Sequence, residues 1–427
     1  MIQIIAQNFE AEIAQLHHAN QADADAQIVA TLTHMKMEIQ AKGDAAIRAF
    51  TQKFDGVKDP HFQFQVTQAE IDHAHSQVSK SFLEAIHKAK SNIETFHQKQ
   101  VPKSWLEKPS PDVTWGMQYR PISCVGLYVP GGRAPLPSTA LMNAVPAKIA
   151  GVKRICLATP PQADGTVSPF ILVAAQLCGV DEIYKVGGAQ AIFGLAFGTE
   201  TIPKVDKIVG PGNQYVTLAK QMVYGRVDID KPAGPSEVLV YIQDPKYAKF
   251  AAADMLCQLE HDPQSVAVTI SESMDTLKAI VSELEHQLPL CKRHEIIRKA
   301  MMHSALFLTS SEAESMKLIN LVAAEHLVMM IDNAQSLLPQ INHAGSIFLG
   351  PYSPVTLGDY FAGPNHVLPT SGTARFASPL GVQDFVKYSS VLEYSKEQLA
   401  KSAQTIRTLT DVEGLDAHYQ AIHHRLE

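Results

Sequence analysis

From about residue 120 to residue 350 the chain alternates between short β-rich runs and helical stretches, and this alternation constrains the fold more than any single motif. The runs "SCVGLYV", "RICLATP", "EIYKVGG", "DKIVGPGN", "EVLVYI", "SVAVTIS", "SALFLTS" and "GSIFLG" are separated by stretches such as "STALMNAVPAKIAG", "SPFILVAAQLCG" and "YAKFAAADMLCQLEH". Strand, helix and strand in succession close a βαβ crossover, so the sheets must be mainly parallel, open or doubly wound. The turn-rich "VDIDKPAGPSE" at 227–237 splits the eight runs into two sets of four, which predicts two similar α/β domains.

The flanks differ. Roughly the first hundred residues have apolar positions at helical spacing, interrupted at Gly43, and the last forty return to helical patterning. Between "GSIFLG" and that tail lies "LGDYFAGPNHVLPTSGTARFASPLG" (357–381), a Gly/Pro/Asn-rich stretch too long for an ordinary connection and of the kind that carries function.

Charge and cysteine usage narrow the function classes. Lys and Arg number 36 against 43 Asp and Glu, a net charge of -7, and no basic run occurs, so the electrostatic footprint of nucleic-acid binding is missing and a small-molecule partner is expected. The five cysteines are widely spaced and form no C-x-x-C, which argues against a disulfide framework and against a thiolate zinc site. The N-terminus has no basic n-region and no run approaches the ~20 apolar residues of a membrane span, so a cytoplasmic location is expected.

No G-x-G-x-x-G fingerprint is present. The nearest features are "VGGAQAIFG" (186–194) and "VGPGNQYV" (209–216), each following a strand and opening a helix, where helix N–H groups can meet a phosphate or simply make a good βα turn. Gln190 falls in the first turn of one helix and Asn213 at the N-cap of the other. "GLYVPGGRAPLPS" (126–138) puts Tyr128 at a strand end, where its ring is placed to stack on a ligand.

Three Glu-His dipeptides stand out. In "CQLEHDPQS" the helix buries Ala248, Ala251, Ala252, Met255, Leu256 and Leu259 and is expected to stop near Asp262, before Pro263. Gln258 and His261, three apart, share a flank off that stripe, whereas Glu260 points away. The pair suits a metal or a plain surface helix. "SELEHQL" (Glu285, His286) reads as a solvated helix end, and the nearby "HEIIR" has Arg298 where a zincin would need its second histidine. In "LVAAEHLVMM" Glu325 and His326 are expected to end a helix among apolar residues, where a carboxyl and an imidazole are suited to proton transfer. Asp359 and His366 lie in the long loop, and Glu413 and His418 in "DVEGLDAH".

Taken together, "KGDAAIRAFTQKFDG", "GLYVPGGRAPLPSTALMNAVPAKIAGV", "VGGAQAIFGLAFGTETIPKVDKIVGPGNQYVTLAK", "DKPAGPSEVLV", "QLEHDPQS", "AAEHL", "GDYFAGPNHVLPTSGTARFASPLGVQDF" and "EGLDAH" resemble the histidinol dehydrogenase family over nearly the whole chain. The resemblance implies two incomplete Rossmann-like parallel-sheet domains with a helical N-terminal segment and a C-terminal tail. The expected division is 1–22, then 23–125 with 236–380, then 126–235, and a tail at 381–427. It implies one zinc ion held by Gln258, His261, Asp359 and His418, with substrate contacts from those residues and from Ser236, His326, His366 and Glu413. NAD contacts would come from Tyr128, Gln190 and Asn213, and catalysis from Glu325 and His326. The family is a homodimer whose tail crosses to the partner, so Glu413 and His418 would complete the other subunit's site. The implied reaction is oxidation of L-histidinol to L-histidine through the aldehyde with two NAD; an alternative is a relative acting on another polyol or amino alcohol. The family's "APEHLE" reads "AAEHLV" here, with Ala324 and Val328 replacing Pro and Glu, and Leu259 replaces a common Ala.

Overall fold

A computed structural model describes residues 2–20, 26–59, 61–131, 135–232 and 234–427. The chain opens with a short strand, β1 (Gln3–Ile5), and five helices, α1 (Phe9–Asn20), α2 (Ala26–Lys42), α3 (Asp44–Phe54), α4 (Gln68–Gln77) and α5 (Lys80–Gln98). A hairpin of β2 (Trp105–Ser110) and β3 (Val113–Pro121) follows. The first wound unit runs β4 (Cys124–Tyr128), α6 (Pro137–Ala150), β5 (Arg154–Thr159), α7 (Pro169–Leu177), β6 (Glu182–Lys185), α8 (Gly188–Phe197), β7 (Lys207–Val209), α9 (Gln214–Val223) and β8 (Asp228–Ile229). The second runs β9 (Glu237–Ile242), α10 (Ala248–Leu259), β10 (Val266–Ser271), α11 (Met274–Gln287), α12 (His294–Ala300), β11 (Ala305–Leu308), α13 (Glu312–Val322), β12 (His326–Met330), β13 (Ser346–Leu349) and α14 (Val355–Tyr360). The chain ends with β14 (Val386–Tyr394), α15 (Lys396–Glu413) and α16 (Asp416–Leu426).

Two sheets are wholly parallel, in the orders β6-β5-β4-β7-β8 and β1-β11-β10-β9-β12-β13. The expected α/β class and parallel winding are therefore observed, with more strands than the eight read from sequence. β12 was hidden because a central parallel strand buried on both faces reads as a continuous apolar run, indistinguishable by period from a buried helix. β14-β3-β2 form a third, antiparallel sheet that the helical reading of the tail did not anticipate.

Alternation along each central strand explains why both sheets are covered on two sides. In β9, Val238, Val240 and Ile242 pack with α10 and α11, whereas Leu239 and Tyr241 pack with Ile13 and α13. In β4, Val125 and Leu127 join α6 and α7, and Tyr128 turns to the face covered by α8 and α9. Each fully buried aliphatic side chain of this kind contributes ~1.5–3 kcal/mol. The helices α2 to α5 pack on the five-stranded unit, through Leu32, Ile39 and Ile47 on one face and Ala74, Ile86 and Ile93 on the other. The expected division had grouped 23–125 with 236–380. Helical periodicity reveals an apolar face, not which sheet it will cover. Among the described residues no helix is long and apolar enough to cross a membrane.

Candidate active site

α13 stops at Val322 because Ala323 adopts the left-handed conformation (φ 50°, ψ 49°), a rare geometry for a residue with a side chain. The chain turns there, and His326 opens β12 between β9 and β13. This corrects the reading of Glu325 and His326 as a helix end: His326 is a strand residue, and Glu325 sits in the connection before it. Gly345 makes the arrangement possible, since a Cβ there would lie 2.5 Å from the Glu325 carbonyl oxygen, and its N–H donates to the Ala324 carbonyl (3.0 Å).

Both catalytic candidates are oriented by the backbone of one residue, Glu237. Its N–H donates to Glu325 Oε2 (2.8 Å), and its carbonyl accepts from His326 Nδ1 (2.9 Å). Nδ1 must therefore carry the proton in the neutral ring, which leaves Nε2 as the basic nitrogen. Nε2 is buried without a hydrogen-bond partner, 3.8 Å from Asp359 Oδ1, too long for a hydrogen bond but close enough for strong attraction. Burial lifts the Glu325 carboxyl to about 7 against the pull of His326. Burial works in the opposite sense on His326, but the carboxylates of Glu325 and Asp359 outweigh it and raise the imidazole to about 9.

The candidate ligands converge on this pair from two helices. Gln258 is buried in the last turn of α10, which ends at Leu259, earlier than the sequence suggested; His261 follows the cap, its N–H on the Gln258 carbonyl (3.3 Å). Asp359 lies in α14. Although burial opposes it, the Asp359 carboxyl is held below its ordinary range by the rings of His326, His366 and His261 around it. His366 donates from Nδ1 to the Asp359 carbonyl (3.0 Å) and meets Thr139 Oγ1 of α6 through Nε2 (3.3 Å), tying the two wound units together at the site. Ser236 is half-buried directly before Glu237. Glu413 and His418 are not part of the cluster: both are exposed on α15 and α16, which pack chiefly on each other. Accordingly, no set of three or more His, Cys, Asp or Glu side chains closes on one point among the described residues. One chain offers an amide, an imidazole and a carboxylate, an N/O donor set that suits zinc and leaves a position open.

The nucleotide-side candidates sit at the carboxyl ends of the five-stranded sheet. The Tyr128 hydroxyl accepts the Gly188 N–H (3.0 Å), and the Asn213 side chain accepts from Tyr215 and Val216 (3.0 and 3.1 Å), the N-cap expected from sequence. Gln190 is buried and donates to Asp55 Oδ2 (3.0 Å). Tyr128 is itself buried, so its ring is less open to stacking than its place at a strand end suggested. Residues 132–134 of the adjoining loop lie outside the described residues. Sequence reasoning missed Glu237, Asp55 and Thr139, which act through partners distant in sequence; Asp55 alone carried a hint, as the "FDG" at a helix end.

A separate cleft of about 1460 Å³, lined by Lys207, Asp228, Lys231, Phe376, Pro379 and Lys387 among others, contains none of the candidate catalytic, ligand or nucleotide-side residues, although Gly345 borders it.

The family model described as histidinol dehydrogenase matches residues 18–426. The histidinol dehydrogenase of Bacillus cereus is 51% identical over 390 residues, 91% of this chain and 90% of the relative. That of Synechococcus is 46% identical over 414 residues, 97% and 95% of the two chains. The crystal structure of histidinol dehydrogenase from Elizabethkingia anophelis superposes with a TM-score of 0.94 at 37% identity, covering 100% of this chain and 98% of the other. The chain belongs to the histidinol dehydrogenase family.

Proposed function

We propose that the protein oxidises L-histidinol to L-histidine, in histidine biosynthesis, by two successive NAD-dependent steps at the site around Glu325 and His326. The observation that carries this reading is the His326 ring, fixed through Nδ1 on the Glu237 carbonyl and presenting a buried, unpartnered Nε2 beside Asp359. A nitrogen so held is arranged to take a proton from a substrate hydroxyl. NAD, when bound, accepts the hydride of each oxidation. Zinc, when bound, supplies a Lewis-acidic template that orients the substrate, and Gln258, His261 and Asp359 would hold it together with His418.

Glu325 serves a different proton. Its carboxyl is near neutrality in pKa, so it can take a proton from water, which adds to the aldehyde before the second oxidation. As water adds, the proton that His326 took in the first oxidation passes to the former carbonyl oxygen, which completes the diol and restores the neutral ring; His326 then receives a hydroxyl proton of the diol in the second oxidation. Two groups are needed because deprotonating an alcohol and activating water are separate transfers. Ser236 and His366 border the same space and would contact the substrate. On the nucleotide side, Tyr128, Gln190 and Asn213 would contact NAD.

A homodimer completes the site in this reading. The exposure of Glu413 and His418 on an arm bearing exposed Leu409, Val412 and Leu415 supports their service to a partner subunit. Five free cysteines fit a reducing cytoplasm. The test is stoichiometry: the zinc-loaded protein should form two NADH per L-histidinol consumed. One NADH per histidinol, or turnover only of other alcohols, would overturn the assignment.

A further inference from the structure

Lys220 of α9 and Asp230, just past β8, form an ion pair that the proposed mechanism leaves unused. Their side chains are 2% and 1% exposed. Taking two charges out of water is costly, and an apolar pair of similar size is often as stable, so stability alone does not account for the pair. Its hydrogen bonds converge on one residue. The Lys220 ammonium donates to Asp230 Oδ1, to the Gly210 carbonyl (3.0 Å) and to the Lys231 carbonyl (3.1 Å), which uses all three of its N–H groups. Asp230 Oδ2 accepts the Gly210 N–H (2.8 Å). Gly210 is therefore held by both of its backbone groups. It follows β7 level with Tyr128, because Val209 and Leu127 are in register, and a Cβ on it would lie 2.1 Å from the Tyr128 carbonyl oxygen. Its φ of 118° also favours glycine. Two residues on, a Cβ on Gly212 would lie 2.4 Å from Val216 Cγ1, so the turn is pressed onto the start of α9 before Asn213 caps that helix. Lys220 lies two turns into α9; helical side chains lean toward the helix N-terminus, and the long lysine stem reaches the turn that opens its own helix.

We propose that Lys220 and Asp230 are positioning residues for the dinucleotide: by clamping Gly210 they fix the turn at 210–213 against Tyr128 and so set the separation of Tyr128 from Asn213, two of the three candidate NAD contacts. The proposal rests on the NAD reading above and adds to it the residues that build the contact geometry. A turn fixed in advance does not have to be ordered when the dinucleotide binds, and this saving appears as affinity. The pair does for this edge what the Glu237 backbone does for Glu325 and His326 at the other, with side chains holding a backbone instead of a backbone holding side chains.

The test uses the full-length, zinc-loaded protein and measures the Kd for NADH by fluorescence titration, the KM for NAD, kcat on L-histidinol with NAD saturating, and the melting temperature. Lys220→Met removes the donors and leaves a buried carboxylate. The Lys220→Met, Asp230→Asn double variant removes both charges, and its amide oxygen can still accept the Gly210 N–H. The single variant should melt well below wild type because it strands one buried charge, and the double variant should recover most of that loss. Both release the Gly210 carbonyl, so in both the Kd for NADH and the KM for NAD should rise about tenfold. kcat and zinc content should stay within about twofold of wild type, since Glu325, His326 and the candidate ligands are carried by the other sheet and its helices. A pair that only stabilises the fold would let nucleotide affinity return as stability returns, so a wild-type Kd for NADH in the double variant overturns the proposal. If Lys220→Met does not fold, the double variant decides alone. A Gln190→Ala, Asn213→Asp variant separates the proposal from the reading on which it rests. A wild-type Kd for NADH in that variant overturns the assignment of these residues to NAD and the positioning role together, whereas weakened NADH there beside wild-type affinity in the Lys220→Met, Asp230→Asn protein overturns the positioning role only.

Discussion

The two parallel sheets place their candidate groups at opposite edges. In the five-stranded sheet Tyr128, Gln190 and Asn213 follow strand ends, where ligands of open α/β sheets usually bind. In the six-stranded sheet Glu237 and His326 open their strands, and Gln258 lies where α10 returns to that amino edge. The physical difference follows from helix polarity. A carboxyl edge gathers helix N-termini, which favour negative groups, and an amino edge gathers helix C-termini, which favour cations. An imidazole raised to about 9 and a proposed zinc set belong at the second kind of edge. The polar groups also differ in saturation. Gly188, Asn213 and Gln190 are already paired within the protein, whereas His326 Nε2 and Asp254 Oδ2 are buried and unpaired. The first edge is complete before ligand arrives, and the second is poised for it.

The largest expected effect probes the poised edge. His326→Asn keeps a group able to donate to the Glu237 carbonyl but removes the basic nitrogen, so kcat should fall by roughly 10²–10⁴ with zinc content unchanged. A variant retaining more than a tenth of wild-type kcat would remove His326 from the proton path. His261→Asn should act on the metal instead. Zinc remaining after dialysis should fall by more than the roughly 100-fold that loss of an outer partner causes; unchanged zinc would show that His261 is not a ligand.

The amount legible in sequence differed between the same two edges. Strand-helix alternation gave the parallel sheets, and the N-cap role of Asn213 was readable because capping is a local event of three residues. The clamp on Glu325 and His326 was not readable. It is made by the backbone of Glu237, some 88 positions away, and backbone groups carry no residue-type signal. Assigning Glu325 and His326 to a helix had the same origin, since "HLVMM" fits either period and only the left-handed Ala323 stops the helix. The place of Val328 was equally hidden until β12 was placed: it is wholly buried in the core beneath α10, where an apolar residue packs. The catalytic and ligand assignments came from family resemblance, which adds information that periodicity does not hold.

A smaller effect lies in pH. His326 must be neutral to accept a proton, and its raised pKa keeps it charged at neutral pH, so formation of the first NADH should rise from pH 7 toward pH 9. Glu325 is the strongest influence raising His326, so Glu325→Gln should move the midpoint of that rise to lower pH. An unmoved midpoint would mean that the two groups do not sense each other during turnover. The same shifts fix the sign for stability of the metal-free protein. His326, raised from 6.5, contributes stability that is full below 6.5 and lost as pH rises through about 9; Glu325, raised from 4.5, loses its contribution as pH rises through about 7. Melting temperature of the apoprotein should therefore decline from pH 5 to pH 9, and less steeply in Glu325→Gln.

The smallest effect tests the saturated edge. Asn213→Ala removes the side-chain acceptor for Tyr215 and Val216 and should cost about 1 kcal/mol of stability, as N-cap losses do. If Asn213 also touches NAD, the KM for NAD should rise severalfold while zinc affinity stays at the wild-type value, because the other edge is untouched. Asn213→Asp separates the two roles. It restores the cap, since aspartate accepts the same N–H groups, but it adds a negative charge where a dinucleotide brings its own. Stability should recover and the KM for NAD should remain raised. Recovery of both would reduce Asn213 to a cap, and the dinucleotide would then have to be held at this edge by groups other than the ones already paired there.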